Sequence, residues 1–243
     1  MRVRSLPSAL LDLLYPRDCV VTHSPLGETR FRYLSERAFA RLPMIRDPSC
    51  PTCGHPFYGS LEESPVCHNC ELLNPNFSHG KCGFTLSRDI KTLIHAFKYQ
   101  KKSYLARDLA ALLATAPGFL TFLENAVVIP VPLHPRKLRR RGFNQTEILL
   151  RELHLQSPVN FDIEPLLKRV IDTDSQTRAD RKERIRQIAG AFAVSKRSNL
   201  TQKSRRYVIF DDIFTTGATL NACATVLRAI GIEILDVAAF AHG

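Results

Sequence analysis

The sequence predicts an α/β protein, a parallel sheet flanked by helices, preceded by a small cysteine-rich unit. Three observations carry this expectation. From Phe84 onward, one-faced helical stripes alternate with short apolar runs, the order expected of a parallel α/β sheet. The runs Val208–Phe210 and Ala126–Val131 show no polar alternation, as befits strands covered on both faces. Ahead of them, four cysteines stand as two CxxC pairs in a proline-containing stretch. The expected division is an N-terminal helix and ribbon unit over residues 1–80 and a sheet domain over 81–243. A chain of 243 residues with 44% apolar content can build cores for both.

The start, Met1-Arg2-Val3-Arg4, superficially imitates a secretory signal. Asp12 interrupts the short apolar stretch, and no small-residue cleavage site precedes Tyr15-Pro16. Leu6, Leu10, Leu13 and Leu14 instead suit an amphipathic helix. No run approaches the ~20 apolar residues of a membrane span. Seven cysteines, four of them in CxxC spacing, point to metal and a reducing compartment, so a cytoplasmic protein is expected. Cys50-Pro51-Thr52-Cys53 and Cys67-His68-Asn69-Cys70 are separated by 13 residues. Four thiolates at that spacing close a tetrahedral Zn2+ shell and leave no position open for catalysis, so a structural site is expected. Four free buried cysteines are the alternative, but so small a unit needs an anchor to fold. Cys82 and Cys223 fall in strand-like and helix-like patterns, as small core residues do.

Further on, Ile90, Leu93, Ile94 and Phe97 recur at i, i+3, i+4 and i+7, a one-faced helix. Leu105, Leu109, Leu112 and Leu113 mark a second, ended by Pro117-Gly118. Ala126–Val131 reads as a buried strand whose ladder Pro130 and Pro132 stop. Leu133–Phe143 reads as a loop, followed by a helix over about Asn144–Leu153. Gly190–Val194 and Tyr207–Phe210 are further strands. Ser195–Arg206 is polar and expected to be a mobile connection. Ala218–Ile230 reads as a helix with Gly231 as its left-handed stop, and Ile232–Phe240 closes the sheet.

The most informative stretch runs from Tyr207 to Thr219. An apolar strand leads into Asp211-Asp212, then Thr215-Thr216-Gly217-Ala218-Thr219, then a helical pattern. Ligands of parallel sheets bind beyond the carboxyl ends of the strands. Two adjacent carboxylates suit the vicinal hydroxyls of a ribose. The hydroxyl-rich loop and helix N-terminus behind them suit its 5′-phosphate. A core strand with an acidic turn and a threonine cap fits each residue separately but leaves their conjunction unexplained. The net charge of +11, from 34 Lys and Arg against 23 Asp and Glu, favours polyanions. Arg136, Lys137, Arg139, Arg140 and Arg141 form one basic cluster, and Arg178, Arg181, Lys182, Arg184 and Arg186 another. Solvated faces are the plainer account of either.

The Tyr207–Thr219 stretch resembles the phosphoribosyl pyrophosphate (PRPP) signature of the type I phosphoribosyltransferases. With the CxxC pairs, Leu93–Tyr99, Ile129–Arg136 and Arg141–Gln145, the chain from about Leu13 onward resembles the ComF/GntX family. The resemblance implies a type I phosphoribosyltransferase-like sheet behind a zinc ribbon, with Mg2+ accompanying PRPP. It implies Asp211, Asp212 and Arg184 as catalytic residues. For phosphate binding it implies Thr215, Thr216, Gly217, Ala218, Thr219, His134, Arg136 and Arg141. Thr173–Ala189 resembles the hood of these enzymes, with Gln176, Thr177, Arg181 and Arg184 at matching positions. Gln187 and Ala189 depart from its usual asparagine and arginine, so one cation of the hood is lost. Thr215 stands where purine-salvage relatives carry a carboxylate, which disfavours a hypoxanthine-guanine type acceptor. Relatives with two ribbons carry further cysteines before Cys50. Here only Cys19 remains, so one zinc ion per chain is expected. The resemblance further implies natural competence, with single-stranded DNA, a helicase and a recombination mediator as partners. Two classes of function remain open: a phosphoribosyl-binding protein in DNA uptake, and an active phosphoribosyltransferase of nucleotide or small-molecule metabolism.

Overall fold

The computed structural model describes residues 17–59, 65–99, 102–172, 188, 190–195 and 204–243. The N-terminal amphipathic helix falls outside the described residues. So do all of the hood except Ile188, with Gln176, Thr177, Arg181 and Arg184, and most of the 195–206 connection.

Five strands form one parallel sheet: β1 (Gly80–Thr85), β2 (Val127–Pro130), β3 (Asp162–Ile163), β6 (Arg206–Phe214) and β7 (Ile234–His242). Their spatial order is β1-β7-β6-β2-β3. Two shorter strands, β4 (Leu167–Arg169) and β5 (Phe192–Val194), pair antiparallel in a separate ribbon. The helices are α1 (Glu36–Phe39), α2 (His68–Leu73), α3 (Arg88–Tyr99), α4 (Ala106–Thr115), α5 (Phe119–Leu123), α6 (Pro135–Arg141), α7 (Gln145–Gln156) and α8 (Ala218–Ala229).

Alternation along the strands divides the core. Val128, Val208, Phe210 and Phe240 point to one face, where α3, α4 and α7 pack with Phe31, Leu34 and Ala38. Val127, Ile129, Ile209 and Val237 point to the other, where α8 packs with the four CxxC cysteines and Phe77. The N-terminal segments therefore contribute to both sides of the sheet. Both polar-free runs proved to be strands in the middle of the sheet, as their composition demands.

The structure revises four element readings. Residues 133–143 contain a helix, α6, capped by the His134 side chain, with Pro135 at its first position and Gly142 as a left-handed stop. The five cations obscured those caps. The strand at the 190s does not join the parallel sheet: it pairs with Leu167–Arg169, and only Phe192 of its three residues is buried. β7 lies inside the sheet, because β1 covers its outer edge. β1 begins at Gly80, earlier than the apolar pattern suggests. A Cβ on Gly80 would stand 2.5 Å from the Thr52 carbonyl oxygen, so the close approach of the first CxxC turn requires glycine there. No helix among the described residues is long and apolar enough to cross a membrane.

Candidate functional site

Pro130 is the last residue of β2 and pairs with Phe210 of β6. A proline offers no N–H, so with Pro130 and Pro132 the β2 ladder cannot continue. β6 runs on to Phe214 beside β7 alone, with Asp211 opposite Ala239 and Phe214 opposite His242. Asp211 and Asp212 thus stand where the β2 side of the sheet has opened.

The Asp212 carboxylate is buried. Lys98, from the end of α3, forms an ion pair with its Oδ2, and Gln145 Nε2 donates to its Oδ1 at 3.1 Å. Burial works against ionisation, but the Lys98 charge and the hydrogen bonds from Lys98 and Gln145 win, holding Asp212 below the usual carboxylate range. Lys98 shows the reciprocal balance: burial disfavours its charge, yet Asp212 raises it above the ordinary lysine value. For Asp211, burial and then the neighbouring Asp212 charge push the carboxyl well above its usual range. Its Oδ1 accepts from the Asp212 backbone N–H at 2.8 Å. The pair is thus divided: Asp212 favours its charged form, balanced by Lys98, and Asp211 favours its protonated form. An acid beside a carboxylate offers one O–H donor and several acceptors, the inventory a vicinal diol needs.

Behind the pair, Thr215 is exposed and Thr216 half-buried, and Thr216 Oγ1 accepts from the Ala218 N–H at 3.4 Å. Gly217 has φ of 75°, and a Cβ on it would lie 2.7 Å from Leu73 Cδ2 and 2.8 Å from Phe214 Cζ. Both the left-handed turn and the contact exclude a side chain. Beyond it begin the N-terminal amides of α8, which have no partners within the helix.

Only one basic residue of α6 reaches this region among the described contacts. Arg141 Nη1 donates to Gln145 Oε1, and its guanidinium lies 5.1 Å from the Tyr99 ring centroid. His134 Nδ1 accepts from the Arg136 N–H and lies 3.5 Å from an oxygen of Asp172, which also pairs with Lys137 at 3.8 Å. Arg136, Arg139 and Arg140 are exposed. Sequence reasoning gave no role to Lys98 or Gln145. Lys98 did leave a signal: it continues the Ile90, Ile94 spacing, where a buried helix stripe calls for an apolar residue. Gln145 left none beyond its place after Asn144, whose side chain with that of Thr146 ties the start of α7 to the Val131 carbonyl.

The second constellation is the sulfur cluster. The sulfur atoms of Cys50, Cys53, Cys67 and Cys70 all lie within 4.8 Å of one another, buried, with Cys53 and Cys67 3.6 Å apart. Bonds of ~2.3 Å in a tetrahedral Zn2+ site place sulfurs roughly 3.8 Å apart, so the donor set fits zinc. The Cys67 N–H donates to Cys50 Sγ at 3.3 Å, which supports thiolate character. The cluster also braces the first site. Leu73, ending the helix that begins after Cys67, packs on Gly217. The Asn76 N–H and side-chain amide donate to Asn221 and Thr225 of α8 at 2.8 and 2.9 Å, and Arg228 returns a bond to the Asn76 carbonyl. Cys19 stands apart, its sulfur accepting from Ser35.

The double zinc ribbon domain family matches residues 10–71. Among curated proteins, Competence protein F of Haemophilus influenzae is 30% identical over 193 residues, covering 78% of this chain and 83% of its own. DNA utilization protein YhgH of Salmonella typhimurium is 28% identical over 93% of this chain and 96% of its own. Competence protein ComFC of Bacillus subtilis is 22% identical over 79% of this chain and 76% of its own. A solved hypoxanthine phosphoribosyltransferase of Staphylococcus aureus overlays 57% of this chain and 61% of its own at 13% identity, with a TM-score of 0.30, too slight an overlap to carry weight.

Proposed function

The chain belongs to the ComF family, and from that premise we propose that it binds a phosphoribosyl ligand, PRPP or a nucleotide, and acts in the handling of incoming single-stranded DNA. The single observation that carries the ligand half is the acid pair at the open end of β6, with Asp212 held by Lys98 and Gln145, next to the Thr215–Thr219 turn and the α8 N-terminus. In this reading Asp211 and Asp212 hold the ribose hydroxyls, while Thr215, Thr216, Gly217, Ala218 and Thr219 surround the 5′-phosphate. Mg2+ would accompany PRPP, with the two acids as hard oxygen donors, and would supply neutralising charge. Lys98 and Gln145 keep Asp212 ionised and aimed. The relatives' names, competence and DNA utilization, support the DNA half. Residues 81–243 would hold the ligand. Residues 1–80, with one structural zinc, would brace that site and meet protein partners such as a helicase or recombination mediator.

Binding is favoured over turnover. Displacing pyrophosphate needs cations around the diphosphate. Among the described residues, His134 stands at Asp172 and Arg141 at Gln145. Arg184 of the hood lies outside the described residues.

The test is thermal: Mg2+ with PRPP should raise the melting temperature, because the ligand binds only the folded chain. Replacing both Asp211 and Asp212 by Asn should abolish that rise, and a double variant that responds like the parent would remove the cradle assignment. Mass spectrometry of ligand retained through gentle purification would separate PRPP from a nucleotide. Pyrophosphate release would move the protein to the transferases.

A further inference from the structure

Helix α3 carries a second, solvent-facing row. Arg88, Lys91, Thr92 and His95 recur at i, i+3, i+4 and i+7, and Tyr99 extends the row by a further turn. With Val20, His23, Ala96 and Lys102, the first four line an open cavity of about 370 Å3. Among the described residues no carboxylate lines it. The helix's single acid, Asp89, pairs with Arg41 at 3.3 Å. Arg88, Lys91 and Lys102 have no carboxylate partner among the described residues. A merely solvated helix face normally intersperses both signs of charge. This one carries cations alone.

The row ends on two exposed aromatic side chains. The His95 and Tyr99 centroids are 5.0 Å apart, and Tyr99 is 56% exposed. The Arg141 guanidinium sits 5.1 Å from the Tyr99 ring and continues to Gln145, which holds Asp212. From Arg88 to Tyr99 the helix rises about 17 Å, so cations and π faces share one line from the cavity to the candidate ligand site. Cations along a groove attract a phosphate backbone, and an exposed aromatic face accepts any unpaired base. A duplex keeps its base faces stacked and would use only the cations.

We propose that the outer face of α3, from Arg88 and Lys102 to Tyr99, is a sequence-tolerant track for single-stranded DNA, with backbone phosphates at the cavity and a base on the His95–Tyr99 rings. The proposal rests on the DNA half of the function above. It locates the strand on the outer face of α3, to which the sequence analysis gave no role.

Binding of a fluorescent oligothymidylate of about 20 nucleotides, titrated against salt with the full chain, tests it. Lys91→Ala with Lys102→Ala should weaken binding and lower the salt slope by roughly 1.4, two phosphates at about 0.7 each. The melting-temperature response of that variant to Mg2+ with PRPP should match the parent's. Tyr99→Ala should weaken the strand roughly tenfold at an unchanged melting temperature and Tyr99→Phe should restore it, a pattern that neither a missing charge nor a loosened fold would give. Parent-like affinity and slope in both the lysine and the Tyr99→Ala variants would overturn the α3 track and leave the DNA reading standing. No strand binding by the parent would overturn both. Equal affinity for duplex, or full displacement by millimolar inorganic phosphate, would make the cavity a simple anion site and overturn the strand assignment.

Discussion

The cysteine cluster and the acid pair both place charge in the protein interior, and they neutralise it by different means. Four sulfurs within 4.8 Å need an added ion, because thiolates that close repel one another. The acid pair is self-contained: Lys98 balances Asp212, and burial with the Asp212 charge pushes Asp211 towards its neutral form. One region's fold is thus conditional on metal, whereas the other's charge state is set by the chain itself. The two are coupled mechanically, since Leu73 and Asn76 join the zinc-bearing segment to Gly217 and α8.

The largest effect should come from the metal. Structural zinc contributes apparent binding free energies of about 10–16 kcal/mol in small sites, so chelation or Cys67→Ser should unfold the segment around the cluster. Elemental analysis should find one zinc per chain. Two tightly held ions would contradict the expectation drawn from the solitary Cys19. Because Gly217 leans on Leu73, the melting response to Mg2+ with PRPP should also shrink on chelation. An undiminished response in zinc-free protein would show that the two regions are independent.

The same contrast explains what the sequence disclosed. The sulfur cluster is local, four ligands in two CxxC pairs 13 residues apart, and its spacing alone identifies it. The Tyr207–Thr219 stretch is local too: strand, acids, turn and helix follow one another, and the structure finds β6 and α8 there. Lys98 and Gln145 reach Asp212 from α3 and α7, so their part is set by tertiary packing and not by any local pattern. The remaining misreadings share that cause. β1 begins on a glycine, Gly80, demanded by a neighbour's backbone, and β5 takes its partner from a three-residue strand that no periodicity reveals. α6 is the exception: its cap, proline and glycine were all present, but its charge was more conspicuous.

Within the acid pair, the neighbours should respond oppositely to loss of charge. Asp212→Asn leaves Lys98 buried without its counter-ion, a defect that costs about 3–5 kcal/mol in comparable buried pairs. Urea unfolding should register it, and Asp212→Leu combined with Lys98→Met should recover most of it. Asp211→Asn removes a carboxyl whose folded-state value is raised. Such a group adds stability fully below its unfolded value and loses it as pH rises through the folded one, so at neutral pH Asp211 is a burden. Asp211→Asn should therefore raise the melting temperature of the free protein, by about 2–4 °C, while reducing its response to Mg2+ with PRPP. For Asp212, whose value is lowered, the sign is reversed: its contribution is present above the ordinary carboxylate range and lost as pH falls through the folded value. Equal stability changes in the two single Asn variants would contradict this division of charge.

The smallest effects should separate the arginines of α6, which the sequence presents as one cluster. Arg141 donates to Gln145 and lies against Tyr99, so it touches both the network that aims Asp212 and the end of the α3 row. Arg139 and Arg140 are exposed, and their side chains have no ion pair among the described residues. Removing Arg141 should release Gln145 and weaken the PRPP response together with single-strand binding, each by a few-fold, the effect of one hydrogen bond worth about 1 kcal/mol. Removing Arg139 and Arg140 together should leave the PRPP response intact and change only the salt dependence of DNA binding, by at most roughly 0.7 in slope for each phosphate no longer neutralised. Calorimetry of ligand binding and salt titration of oligonucleotide binding on the same two variants make the comparison direct. If Arg141→Ala and the Arg139–Arg140 double variant prove indistinguishable in both, the cluster acts as undivided surface charge, and the link from α6 through Gln145 to Asp212 has no part in recognition.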